Sequence, residues 1–120
     1  MPISIATDPS APFITVAASG TLVRDDYRGF VAEFERLARE RGKLRILFDA
    51  RELKGWDRGA LWEEVKFDAK HLSEIARLAM IGTKAWHHAI EAFFMPFAAP
   101  KMRYFDQSEM AQAREWLVAA

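Results

Sequence analysis

The chain has 120 residues, a one-domain length that buries roughly two-thirds of its unfolded surface without covalent staples. Seventeen basic side chains balance seventeen acidic ones, which argues against a broad electrostatic footprint for nucleic acid. The lack of cysteine excludes disulfides, thiolate metal sites and cysteine nucleophiles.

Residues 1–18 have no basic n-region and are broken by Asp8, Pro9 and Pro12. No apolar run approaches the ~20 residues of a membrane span. The expectation is a soluble, cytoplasmic protein with no nucleic-acid partner.

Residues 3–6 and 13–18 predict two short strands joined as a hairpin by the turn chemistry of "DPSAP", with "ASGT" ending the second. Asp25 is the expected N-cap of a helix over "DDYRGFVAEFERLARERG". Tyr27, Phe30, Val31, Phe34, Leu37 and Ala38 form its apolar stripe, and Gly42 stops it. "LRILFDA" (44–50) is a compact apolar strand ending in Asp49, and a helix follows from about Gly59 to Leu72. "IARLAMIG" (75–82) is nearly all apolar, as a strand covered on both faces would be. Thr83 caps a third helix through about Met95, ended by Pro96. "KMRYF" (101–105) is a short strand. Asp106 and Glu109 form a D-x-x-E variant of the capping box, opening a last helix that buries Met110, Ala113, Trp116 and Leu117. The predicted order is β-β-α-β-α-β-α-β-α. Such alternation implies right-handed crossovers and an α/β fold with a mixed, largely parallel sheet.

The motifs Trp56-Asp57, Ala60-Leu61-Trp62, "KFDAKH" (66–71), "GTKAW" (82–86), "RYFD" (103–106) and "REWL" (114–117) resemble the SpoIIAA-like proteins, a branch of the STAS-like fold. Their order and spacing carry the resemblance over more than half the chain. It implies a single domain with helices packed on a sheet. It also implies kinship with anti-sigma-factor antagonists and, more distantly, with lipid-carrying CRAL-TRIO domains. One departure stands out. Phosphorylation-switched antagonists of this fold carry a hydroxyl where the helix begins after the third strand. Here the region reads Trp56-Asp57-Arg58-Gly59-Ala60, and residues 22–72 contain no Ser or Thr. Asp57 is either a fixed mimic of the phosphate or simply an N-cap.

On the helix predicted over 59–72, Leu61, Trp62, Val65, Ala69 and Leu72 share one face within about 100°. Phe67 points nearly the opposite way, between Glu63 and His71. With Trp56 just before the helix, these four residues are the candidate partner surface, most simply for a homodimer. The alternative is a locally packed Phe67. Gly55 and Gly59 bracket Trp56 in "RELKGWDRG", a stretch that could hinge the helix as a lid.

His87, His88 and Glu91 have spacings that zinc can use, but the set lacks further ligands, and solvated histidines are the expectation. Asp49, Asp57, Thr83, Lys84 and Asp106 are strand-end candidates, because ligands favour the carboxyl ends of parallel strands. Capping and turn roles explain Asp49, Thr83 and Asp106 equally well. No G-x-S-x-G, P-loop or G-x-G-x-x-G motif occurs. In "AIEAFFMPFAAPKM" (89–102), the aromatics continue past the proline. Trp62, Phe93, Phe94 and Phe97 are therefore the candidate lining of an apolar pocket, or else part of the core.

The sequence thus predicts a non-enzymatic STAS-like interaction or regulatory domain without the Ser/Thr phosphoswitch, acting on an unknown protein partner or a second copy. The alternative is a small carrier or sensor of lipid-like apolar ligands with transient membrane contact. No cofactor, metal or catalytic residue is expected.

Overall fold

The apolar run from Leu44 to Phe48 needs cover on both faces of a strand, and the computed structural model provides it. The structure describes residues 3–7, 11–59, 63, 70, 72–83 and 102–119, with Trp56 and Leu72 described through their backbone alone. Five strands lie in one sheet in chain order: β1 (Ile3–Thr7), β2 (Ile14–Leu22), β3 (Leu44–Trp56), β4 (Ile75–Gly82) and β5 (Met102–Asp106). β1 and β2 form the antiparallel hairpin, and the three remaining pairings are parallel. Helix α1 (Arg24–Arg41) and helix α2 (Met110–Val118) cover opposite faces. Ile46 joins the cluster built on Tyr27, Phe34 and Leu37 of α1, while its neighbour Leu47 joins the cluster built on Ala113 and Leu117 of α2. This is the period of two that sends successive strand residues to opposite faces.

The mixed, largely parallel sheet is as predicted, but the helix count differs. The described residues contain two α-helices, where the sequence predicts four. The two middle helices fall mostly outside the described residues. Of the segment predicted as the helix over 59–72, Gly59, Glu63 and Lys70 are helical, and a 3-10 turn over Leu72–Glu74 leads into β4. The segment predicted as the third helix lies outside the described residues beyond Thr83.

Several boundaries also move. β2 continues through "SGTL" instead of stopping at Ala18, and β3 continues through "RELKGW" instead of stopping at Ala50. Glycines that resemble turn residues serve irregular pairing instead. Between Ala17↔Asp49 and Ser19↔Glu52, and again between Gly20↔Leu53 and Thr21↔Gly55, β3 carries an extra residue relative to β2. Gly20 (φ 64°) and Gly55 (φ 155°) supply backbone angles that other residues resist. β5 begins and ends one position later than predicted.

The N-cap of α1 is Val23, not Asp25. The Val23 N–H donates to the Asp26 carboxylate at 2.7 Å, so the acid at the third helical position satisfies the cap backbone from inside the first turn. At the other end, Gly42 takes φ 78° and its N–H donates to the Ala38 carbonyl at 2.9 Å, as the stop signal predicts. α2 ends on two arginines from the strand starts. Arg45 donates to the carbonyls of Leu117 and Ala119, and Arg77 donates to that of Trp116. Two cations thus meet carbonyls at the negative end of the helix dipole, where the Ala119 N–H also reaches the Trp116 carbonyl at 3.4 Å.

Candidate functional site

β4 and β5 end in register at Gly82 and Asp106, while β2 and β3 run on past them as a pair to Leu22 and Trp56. Asp57 and Thr83 directly follow β3 and β4, and Asp106 closes β5. Asp49 lies inside β3, whose end moves on to Trp56, yet it stands level with the last residues of β4. It sits opposite Ala17 and Ile81, and Asp49↔Ile81 is the last pairing between β3 and β4. Beyond it, β3 remains paired to β2 while β4 ends at Gly82.

Asp49 marks the first bulge. Its carboxylate accepts the N–H of the bulged Arg51 at 3.1 Å and the Arg51 guanidinium at 2.9 and 2.8 Å. These bonds, chiefly the side-chain ones from Arg51, hold the Asp49 carboxyl below the usual carboxylate range against the opposing effect of burial. An acid so held stays ionised near neutral pH, which suits a structural anion rather than a proton donor. Arg51 is a partner that sequence reasoning missed. The i, i+2 spacing of Asp and Arg puts both on one face of a strand, but the strand predicted from sequence ends at Ala50 and leaves Arg51 outside it.

Asp106 likewise serves the backbone. It accepts the Ser108 N–H at 3.1 Å and the Ser108 hydroxyl at 2.8 Å, while its own N–H donates to Glu109 at 3.0 Å. This is the predicted capping box, opening a 3-10 turn (Gln107–Glu109) ahead of α2. The Thr83 carbonyl accepts the hydroxyl of Tyr104, a second residue the sequence did not flag. Burial and the nearby Asp106 charge push the Tyr104 phenol up to about 12. Gly82 makes this contact sterically feasible, since a Cβ there would lie 2.6 Å from the Tyr104 oxygen. The carboxylates of Asp49 and Asp106 thus serve separate backbone turns.

Asp57 follows β3 directly, and Arg58 is already helical. Its N–H donates to the Leu22 carbonyl at 2.9 Å, which fixes the junction to the end of β2. The side chain is exposed, and a Cβ on Gly59 would sit 3.5 Å from Asp57 Oδ1. "RELKGWDRG" is therefore not a free hinge, because residues 51–56 belong to the sheet. The segment that follows is tied to α1 by Arg24–Glu63 at 3.5 Å and Glu35–Lys70 at 3.9 Å. Glu63, predicted on the partner surface, is half-buried and engages Arg24 within the chain. The Trp56 side chain, Phe67 and His71 lie outside the described residues. So do Lys84 and the pocket candidates Trp62, Phe93, Phe94 and Phe97, as well as His87, His88 and Glu91.

Among the described residues, no group of three or more His, Asp or Glu could hold a metal ion, and no helix is long and apolar enough to cross a membrane. An open cleft of about 330 Å3 lies where α1 ends, lined by Glu35, Ala38, Arg39, Gly42, Lys43, Ser73 and Glu74. Its described lining mixes both charges and includes no aromatic side chain.

No curated protein sequence matches this chain. Among solved structures, it is similar to an uncharacterised protein of the DUF3478 family, with a SpoIIAA-like fold, from Shewanella loihica PV-4. The TM-score is 0.79 at 24% identity, covering 96% of this chain and 91% of the other. The SpoIIAA-like family model matches residues 13–118, which takes in everything from the start of β2 to the end of α2. The chain belongs to the SpoIIAA-like family.

Proposed function

We propose that this chain is a non-enzymatic interaction domain whose contact surface centres on the junction from Trp56 to Gly59 and the helix that follows, and that it pairs with a second copy of itself through that surface. The family and its STAS-type fold support a general regulatory or interaction role. The observation that carries the finer reading is the exposed Asp57, anchored by its N–H to Leu22 where β3 passes into a helix. Resemblance to switched antagonists puts a phosphorylatable hydroxyl at this junction. Asp57 presents a permanent negative charge instead, and the nearest Ser or Thr residues in the sequence are Thr21 and Ser73. A surface built this way binds without a kinase. The non-enzymatic reading is supported by the engagement of Asp49 and Asp106 with the backbone, which leaves each in a structural role.

Sedimentation equilibrium of the full chain tests this. A dimer is expected at micromolar concentration, weakened by Asp57→Lys and by Phe67→Asp. A monomer at all concentrations, or a dimer indifferent to both substitutions, overturns the proposal. Native mass spectrometry of the same samples would reveal a retained lipid, the outcome that favours a carrier instead.

A further inference from the structure

The face of the sheet covered by α2 carries a second cleft, between the N-terminal hairpin and the helix. It holds about 290 Å3 and is lined by Ala6, Thr7, Ala11, Phe13, Thr15 and Arg114. Phe13 is its apolar floor, packed on the cluster that contains Leu47, Ile81, Phe105 and Leu117. The hairpin register sets Ala6 opposite Thr15, so both face this cleft, and Thr7 opposite Ile14 of the α1 cluster, so Thr7 borders the cleft with its side chain toward the other face. Arg114 stands exposed on α2 one residue after the fully buried Ala113. It makes no hydrogen bond or ion pair among the described residues. No carboxylate is among the cleft's described lining. The other arginines around this helix are engaged: Arg45 and Arg77 hold its last carbonyls, and Arg103 stacks on Phe105.

We infer that this cleft binds a small organic carboxylate with a short apolar body. A guanidinium presents paired donors that match a carboxylate in a fork, and the Thr15 hydroxyl adds a donor beside it. Phe13 and the two alanines receive the apolar body. The volume lies at the lower end of small-molecule sites, which span roughly 300–1,000 Å3, so it suits a free acid of a few carbons rather than a long acyl chain. The cleft lies toward the amino ends of the parallel strands, away from the Asp57 junction, so its occupancy is independent of self-association there.

Titration of the 15N-labelled full chain with hexanoate, followed by amide shifts, tests the inference. Inorganic phosphate and hexylammonium are the comparison probes: one has the charge without the body, and the other has the body with the opposite charge. Saturable hexanoate shifts are expected at Thr7, Phe13, Thr15 and Arg114. Loss of a charge-assisted hydrogen bond in Arg114→Gln should weaken them about tenfold or more. Arg39→Gln, in the cleft at the end of α1, should leave them unchanged. Failure to saturate, equal affinity of Arg114→Gln, or equal binding of phosphate or hexylammonium at these amides overturns the inference.

Discussion

Replacing Asp49 tests whether one carboxylate holds the bulge that carries β3 past β4. Its side chain is only 20% exposed and accepts three donors from Arg51, one of them the backbone N–H left out of the β2 ladder. A hydrogen bond to a charged group contributes about 1.5–3 kcal/mol, whereas a half-exposed ion pair adds about 0–1 kcal/mol. The Arg51 guanidinium is 45% exposed, so most of the effect should come from the backbone bond. Asp49→Ala is therefore expected to destabilise by about 1.5–2.5 kcal/mol. Asp49→Asn keeps an oxygen for the Arg51 N–H and should cost under about 1 kcal/mol, as should Arg51→Ala. Urea unfolding followed by circular dichroism at neutral pH would rank the three. The pH dependence supplies a second check. Because the folded-state pKa of Asp49 is depressed, its contribution is fully present above the unfolded value of about 4 and is lost as pH falls through the folded value. The gap between wild type and Asp49→Asn should therefore close on acidification. If Arg51→Ala proves the most damaging, or if the gap does not narrow as pH falls below the unfolded value, the carboxylate is not what holds the bulge.

Gly82→Ala should destabilise by about 1–3 kcal/mol through its clash with the Tyr104 oxygen. Tyr104→Phe should recover part of that loss, because the next atoms of the ring lie 3.3 Å away; additive losses in the double variant would refute the clash. Arg77→Met should fray the end of α2, since it removes both the bond to the Trp116 carbonyl and the guanidinium 5.3 Å from the Trp116 ring centre. Faster amide exchange over the last turn of α2, with β2 and β3 unaffected, is the expected signature, and uniform acceleration would point to global destabilisation instead.

The strongest periodic signals in the sequence were local and survived folding. The stripe of Tyr27, Phe34 and Leu37 buries as its spacing predicts, because helix geometry alone places those positions on one side. "IARLAMIG" becomes β4 with the predicted ends, and the Asp106–Glu109 box forms, because both depend on residues a few positions apart. Even the N-cap error at α1 is local: Asp26 satisfies the cap backbone from the third helical position, which places the cap at Val23 and the start at Arg24.

Contacts distant in sequence decided the rest. "ASGT" and "RELKGW" have the composition of turns, yet they pair with each other, and β-structure draws its stability from the partner strand more than from its own residues. Asp49 therefore became a staple within a strand rather than a residue at its end. Arg45 and Arg77 found the end of a helix 39 or more positions away, and Tyr104 found a carbonyl beyond Gly82. Local sequence determined which segments were helices or strands and which sides they would bury, because those follow from backbone geometry and the solvation of each side chain. Register, bulges and the partners of charged groups depended on which segments met in space, and that is a property of the assembled sheet.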